Sequence, residues 1–257
     1  MIEVKDLRKS FDGVEVLKGI TTTFETGKVN LVIGQSGSGK TVFLKSLLNV
    51  FEPTSGHILF DGRDIVGMSR QEKEALRAEI GTVFQGSALF DSMTVQDNIM
   101  FPLDMFTNLT FTEKKKRVKE VIGRVHLENA EKKFPSEISG GMQKRVAIAR
   151  AIVNNPRYLF CDEPNSGLDP QTSMVIDKLI KEITTEYKMT TVVVTHDMNS
   201  VMEIGNHIIY LHQGKKEWEG SNKDIIYSEN KLLNNFIFAS EFLQDAKAMR
   251  MQSTQKK

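Results

Sequence analysis

Cysteine is almost missing: Cys161 stands alone among 257 residues. An intrachain disulfide and a cysteine-only zinc site are both excluded. Long apolar runs are missing too, since none approaches the ~18 residues that a bilayer-crossing helix needs. The opening residues, Met1-Ile2-Glu3-Val4-Lys5, have neither the basic start nor the apolar core of a secretory signal. No charge of one sign dominates. There are 34 Lys and Arg against 33 Asp and Glu, so net charge gives no general attraction to nucleic acid or anionic lipid. Repeats and low-complexity segments are absent. What remains is 40% hydrophobic and 26% charged, the make-up of a soluble globular chain with enough length for a sizeable core. The expectation is an intracellular protein that meets membranes only through partners.

Against that background one stretch is dense in information. Gly34-Gln35-Ser36-Gly37-Ser38-Gly39-Lys40-Thr41 follows the apolar run Val29–Ile33 and precedes a helix-like segment, Val42 to Val50. Strand, glycine loop and helix are the context that a G-x-x-x-x-G-K-[ST] stretch needs to hold phosphate. Glycines let successive N–H groups turn toward one anion, and the following helix adds the positive end of its dipole. Lys40 is placed to reach β- and γ-phosphates, and the Thr41 hydroxyl to ligate Mg²⁺. A glycine-rich turn that binds nothing is the plain alternative, and the flanking elements argue against it.

Residues 1–28 alternate short β-like runs with turns: Ile2, Val4 and Leu7, then Val14 to Leu17, then Ile20 to Phe24. His57 to Phe60 and Ile80 to Phe84 read as further strands. Ser69-x-x-Glu72 has capping-box spacing for a helix ending near Arg77. From about 86 to 155 the texture becomes helix-rich. Thr110-x-x-Glu113 opens a charged helix with Val118, Val121, Ile122 and Val125 on one face. Its start is crowded by Lys114, Lys115, Lys116, Arg117 and Lys119, a solvated face in preference to a nucleic-acid patch because glutamates are interspersed. From Arg157 strands and helices alternate again: Tyr158–Cys161, a helix from Pro170 to Glu186 carrying Val175, Leu179, Ile180 and Ile183, then Thr191–Thr195. His207–Leu211 and Lys215–Glu219 form a hairpin. Such alternation implies an α/β fold with a mainly parallel sheet covered on both faces, the helical block being an insertion. His57, His126, His207 and His212 lack partners at ligand spacing and read as structural, and Cys161 as a packed apolar residue.

Two more stretches carry chemistry. In Phe160-Cys161-Asp162-Glu163-Pro164 an apolar strand ends in two carboxylates: Asp162 to hold Mg²⁺ through water, and Glu163 to take a proton from attacking water. In Ile138-Ser139-Gly140-Gly141-Met142-Gln143-Lys144-Arg145 another anion-facing helix N-terminus is formed by Ser139, Gly140 and Gly141.

With this last stretch the chain resembles the ATP-binding-cassette (ABC) ATPase family, whose signature is Leu-Ser-Gly-Gly-Gln at a helix start. The resemblance covers roughly residues 1–230. It departs at Ile138 and at Met142, where the polar Gln of the family is lost and Gln143 is the available amide. The resemblance implies an α/β P-loop NTPase core, an N-terminal antiparallel β subdomain and a helical subdomain inserted at about 86–155, with 231–257 as a C-terminal helical extension. It implies ATP and Mg²⁺ as ligands. By the same resemblance Gln85 touches Mg²⁺ or the attacking water, and His196 is the switch histidine. Asp169, in Asn165 to Asp169, sits at a dimer seam, and Phe11 stacks on adenine. Since Ser139 to Gly141 would serve the γ-phosphate held by the opposite subunit, a head-to-tail homodimer is the working unit. A separate membrane permease would dock after Gln85, on the apolar segment Gly86 to Val95, and would place the chain at the cytoplasmic face of a bacterial inner membrane.

Gly86-Ser87-Ala88-Leu89-Phe90, with Met142, is most similar to the Mla/Mce-type phospholipid transport ATPases. That similarity implies lipid cargo and an Mce-type lipid-binding partner. A soluble ABC ATPase of DNA repair or translation would carry two cassettes or a coiled-coil insertion, and neither is present. A GTPase switch would need Asn-Lys-x-Asp, but Asn222-Lys223-Asp224 has its Asp one position early. In the tail, Leu232, Phe236, Ala239, Leu243 and Ala246 recur at helical spacing, a stripe expected to dock on the core or across a dimer.

Overall fold

The computed structural model describes residues 1–238 and Lys247. Strands β1 (Ile2–Phe11) and β2 (Val14–Phe24) lead to β3 (Val29–Ile33), α1 (Lys40–Leu47), β4 (Ser55–Phe60), β5 (Arg63–Asp64) and α2 (Arg70–Ala78). Next come β6 (Ile80–Val83), α3 (Val95–Phe106), α4 (Phe111–Arg124), α5 (Gly140–Ile152), β7 (Tyr158–Asp162) and α6 (Pro170–Glu186). Then follow β8 (Thr190–Val194), α7 (Met198–Ile204), β9 (His207–His212), β10 (Lys215–Gly220) and α8 (Lys231–Ile237). Contacts divide the chain into two compact units: residues 2–23, 30–66 and 194 onward form one, and residues 67–193 with 1 and 24–29 form the other.

In the first unit, β2-β1-β4-β5 make a sheet in which β1 runs antiparallel to β4, Ile2 facing Phe60 and Val4 facing Ile58. Alternation puts Ile2, Val4 and Leu7 inside with Leu17, Ile20, Ile58 and Phe60. The two runs expected over Val14–Phe24 are one strand. Gly19 carries it through at φ +79, where a Cβ would lie 2.6 Å from the Asp6 carboxylate. Elsewhere in this unit β3 pairs in parallel with β9, and β9 pairs antiparallel with β10 through the turn Gln213-Gly214. The hairpin expected here is present. All five β3 residues are buried, as a parallel strand covered on both faces requires.

In the second unit β6 and β7 pair in parallel, Ile80 beside Tyr158 and Val83 beside Cys161, in the order β8-β7-β6. The capping boxes at Ser69/Glu72 and Thr110/Glu113 form as expected, and a third forms at Thr94/Asp97. Val118, Val121, Ile122 and Val125 are buried, worth ~6–12 kcal/mol of gross hydrophobic free energy.

Two faces differ from expectation. Val175 is 54% exposed, because α6 turns Ile176, Leu179, Ile180 and Ile183 inward and Val175 lies one step off that stripe. Likewise Leu232 is 41% exposed, and α8 buries Leu233 and Ile237, continued by Phe238, with Phe236 stacked on Tyr210 at 5.3 Å. Ala239, Leu243 and Ala246 of the expected stripe lie outside the described residues. Helix α1 starts at Lys40 and stops at Leu47, short of Val50, with Asn49 in left-handed backbone (φ 53). Among the described residues no helix is long and apolar enough to cross a membrane.

Candidate functional site

Within the first unit, the Gly34–Thr41 loop joins β3 to α1. A side chain at Gly34 would put its Cβ 2.3 Å from the Leu211 carbonyl oxygen, so the backbone passes where only hydrogen fits. Ser38 N–H donates to the Gln35 carbonyl at 3.1 Å and closes the loop, while Gly214 N–H donates to the Ser38 carbonyl at 3.1 Å and ties it to the β9–β10 turn. Lys40 is buried, and its ammonium donates to the carbonyls of Gly34 (2.8 Å) and Gln35 (3.0 Å), curling over the loop that precedes it. Gln35, Ser36, Gly37 and Thr41 are exposed.

The helix termini distinguish this loop from every other α-helix start described. Helices α2 to α8 each carry a side-chain cap, from Ser69, Thr94, Thr110, Ser139, Asp169, Asp197 and Asn230. Helix α1 has none: its N-cap is Gly39 in left-handed backbone. Its first-turn N–H groups, which have no intrahelical acceptors, face the loop, together with the positive dipole end. The Ser38 hydroxyl oxygen is buried with no hydrogen-bond partner among the described residues. A buried polar atom without a partner beside an uncapped helix start fits an anionic oxygen.

Two other predicted residues share this unit. His196 is exposed and follows Thr195, whose N–H donates to the Val32 carbonyl on β3 (3.2 Å), the strand that delivers Gly34. Phe11, half-buried at the end of β1, meets the Phe51 ring edge-on at 5.2 Å, with the Lys9 ammonium 4.8 Å from its centroid.

The second unit gathers the rest: Gln85, Ser139, Gly140, Gly141, Asp162, Glu163 and Asp169. Asp162 is the last residue of β7, and Glu163 follows at φ 48, an uncommon backbone for a non-glycine residue that re-aims the chain at the strand end. Ser166 N–H closes this turn on the Glu163 carbonyl at 3.1 Å. The Gln85 carboxamide donates to the Ser166 hydroxyl at 3.2 Å, so the segment after β6 and the segment after β7 meet. Asn165 in turn donates to the buried Asp177 carboxylate at 2.8 Å.

Ser139 caps α5, its hydroxyl oxygen accepting the Met142 N–H at 3.3 Å, which leaves the hydroxyl proton to donate elsewhere. Gly141 is required by its neighbour: a Cβ there would lie 2.6 Å from the Thr172 methyl, while the Thr172 hydroxyl is held by Asp169 at 2.5 Å. Asp169 caps α6, and those hydrogen bonds from Thr172 hold its carboxyl below the usual range. The signature turn and the Asp169 turn are therefore in contact. The Gln143 side chain, the amide next to Met142, donates to the Pro135 carbonyl at 2.9 Å.

Sequence reasoning overlooked Lys144, Arg150 and Asn98. Lys144 is 5% exposed on an otherwise apolar helix face and donates to the Gln85 carbonyl; burial pulls its pKa down. A lysine two residues before the apolar run Val146 to Ile152, and an arginine inside it, were the available signals. Beside Gln85 an apolar groove of about 430 Å³ is lined by Phe84, Phe90, Phe101, Pro102, Met105 and Phe106 among others. The Phe90 and Phe101 rings are 4.8 Å apart, and Phe84, Met105 and Phe106 are exposed. Among the described residues no group of three His, Cys, Asp or Glu side chains could hold a metal. That is compatible with Mg²⁺, which is commonly held by one carboxylate, a hydroxyl and substrate phosphates.

The family model described as "ABC transporter" matches residues 17–166. The chain is similar to the probable ribonucleotide transport ATP-binding protein mkl of Mycobacterium tuberculosis, with 38% identity over 236 residues, 92% of this chain and 66% of the relative. It thus spans slightly less than two thirds of that relative's length. It is 37% identical over 237 residues to the methionine import ATP-binding protein MetN 2 of Oceanobacillus iheyensis, covering 91% of this chain and 69% of the relative. Among solved structures it is similar to the dimeric post-hydrolysis state of the ATP-binding cassette MJ0796 bound to ADP and Pi. The TM-score is 0.78 with 33% identity, covering 86% of this chain and 99% of that one. It is also similar to cbiO1 of Clostridium perfringens, part of the transporter complex cbiONQ, with TM-score 0.82 and 32% identity over 89% of this chain and 91% of that one.

Proposed function

The chain belongs to the ABC transporter family and has the fold of its ATP-binding cassettes, and from that premise we propose that it is the ATP-hydrolysing subunit of a membrane transporter. The observation that carries this reading is the start of α1: the one described α-helix without a side-chain cap, following a loop with a buried lysine and a buried, unpartnered serine hydroxyl. An anion is the natural cap for such a terminus, and a polyphosphate suits the reach of Lys40.

In this reading Gly34 to Thr41 hold the phosphates of ATP, and Phe11 offers its ring to adenine. Thr41, Gln85 and Asp162 hold Mg²⁺, which would neutralise charge developing on the phosphates. Glu163 accepts the proton from attacking water, and His196 orients toward the γ-phosphate. The Ser139 hydroxyl and the N–H groups of Gly140 and Gly141 serve the ATP of a second copy, with Asp169 at the seam. The motif order along the chain and the dimeric relative MJ0796 support this head-to-tail homodimer. The groove beside Gln85, flanked by the exposed Phe84 and Phe106, would receive a cytoplasmic segment of the permease, which would hold the chain at the cytoplasmic face of the membrane.

The cargo proposed is phospholipid, with an Mce-type lipid-binding protein in the same complex. Support comes from the Gly86–Phe90 segment and from Met142. The relatives' names point to a second reading, a small polar solute: ribonucleotide for mkl, methionine for MetN 2.

The purified chain should bind and hydrolyse Mg-ATP, and Glu163→Gln should lower turnover by ~10²–10⁴-fold while ATP binding and ATP-dependent dimerisation persist. Hydrolysis at the unsubstituted rate by that variant would remove Glu163 from its role. Failure of the chain to bind ATP would remove the whole reading. For cargo, the complex captured with its permease is reconstituted in liposomes. Bound phospholipid found by mass spectrometry supports the lipid reading, and stimulation by methionine or ribonucleotide alone refutes it.

A further inference from the structure

Two cations on one face-crossing helix hold the segment that follows β6. From the last turn of α5, the Arg150 guanidinium donates Nη1–H to the Ala88 carbonyl at 2.7 Å and Nη2–H to the Ser87 carbonyl at 2.9 Å. Those two residues adopt consecutive left-handed backbone, φ 61 and φ 48, without either being glycine. Such a pair needs an outside restraint to persist. Ser87 is buried, and its N–H closes a turn onto the Phe84 carbonyl at 2.9 Å, with Gln85 and Gly86 at the corner. Lys144, further back on α5, holds the Gln85 carbonyl itself. Burial lowers the pKa of both cations, the direction expected of charges withdrawn from water.

We propose that Arg150 is a positioning residue for Gln85, with Lys144 as its second support. By bridging Ser87 and Ala88 with both arms, Arg150 fixes the direction in which the chain leaves Gln85, and so where the carboxamide sits against Ser166. The guanidinium carbon also lies 5.9 Å from the Phe90 ring and the side chain lines the apolar groove, so a segment entering the groove meets the same residue. The proposal rests on the ATPase reading for the use made of Gln85, but the restraint on 85–88 stands on geometry alone.

The test uses the full chain with Arg150→Met, which keeps volume but no donor, and Arg150→Lys, which keeps charge but cannot fork. Hydrogen exchange of the amides of residues 85–90 should become about tenfold faster in Arg150→Met, with α4 and α6 unchanged. In Mg-ATP hydrolysis the Mg²⁺ concentration for half-maximal rate should rise by roughly fivefold while the nucleotide KM stays within about twofold. Arg150→Lys should recover part of both, and carries the test alone if Arg150→Met does not fold. In a Gln85→Ala background, Arg150→Met should add no further Mg²⁺ shift. Unchanged exchange at 85–90, or faster exchange with unchanged Mg²⁺ dependence, overturns the positioning role while wild-type hydrolysis leaves the ATPase reading intact. Absence of hydrolysis by the unsubstituted chain overturns that reading and the use of Gln85 with it.

Discussion

Asn98 holds the floor of the loop that leads into the groove, and its removal has a cost that can be worked out bond by bond. The side chain is fully buried in the first turn of α3. Its oxygen accepts the Phe90 N–H at 2.8 Å, and its two amide hydrogens are shared among the carbonyls of Phe90 (3.1 Å), Met93 (3.1 Å) and Thr94 (3.0 Å). In Asn98→Ala two of these groups keep a second partner: the Thr94 carbonyl accepts the residue-98 N–H at 2.9 Å, and the Phe90 carbonyl accepts the Met93 N–H at 3.1 Å. The Phe90 N–H and the Met93 carbonyl lose the bonds described for them. Each orphaned group costs ~1–3 kcal/mol, and because neither residue is fully buried the low end applies, ~1–1.5 kcal/mol each and about 2–3 kcal/mol together. For a chain of this length that is a fall of roughly 4–12 °C in Tm where unfolding is cooperative. If the loop opens alone, the loss appears instead as faster exchange of the Phe90 amide, by about 30-fold or more for 2 kcal/mol. Calorimetry and residue-resolved hydrogen exchange read both. An Asn98→Ala variant with unchanged Tm and unchanged Phe90 protection would refute the bond assignment and the claim that this side chain orders the loop.

The buried Cys161 thiol has its pKa pushed up, chiefly by burial and further by Asp177 and Asp162. Because the folded chain then keeps a proton that the unfolded chain releases above about pH 8.5, stability is unaffected below that pH and falls as pH rises past it. Denaturation midpoints should drop between about pH 8.5 and 10 in the native sequence and less in Cys161→Ala, and iodoacetamide at about pH 8.5 should label only the denatured chain; labelling of the folded chain at a comparable rate would contradict the burial. Truncation after Asn230 removes the buried Leu233, Ile237 and Phe238, a gross ~4–9 kcal/mol of apolar burial offset by the entropy of ordering α8, and uncovers Tyr210. A lower denaturation midpoint and a more quenchable tyrosine signal should result, and no change in either would mean that α8 adds nothing to the core.

Much of the local structure was legible because its causes are local. The boxes at Ser69/Glu72 and Thr110/Glu113 form within three residues, and the α4 face is read from a 3.6-residue period. The glycine loop could be read for the same reason: its geometry is set by the residues inside it and by the strand and helix on either side. Misreadings came where periodicity leaves a choice of face. Val175 against Ile176, and Leu232 against Leu233, differ by a 100° rotation that only the neighbouring elements select.

By itself the sequence determined the glycine loop between β3 and α1, the acidic end of β7 and the Ser139 turn, because each depends on residues adjacent in the chain. Only the tertiary structure decided that α1, alone among the described α-helices, has no side-chain cap. It alone showed that the Ser139 turn touches the Asp169 turn, and that Lys144 and Arg150 govern the segment around Gln85. Those last contacts join residues 59 and 62 positions apart, and no local preference encodes them. They arise when burial of the apolar face of α5 carries two cations into the interior, where backbone carbonyls are the partners available to them.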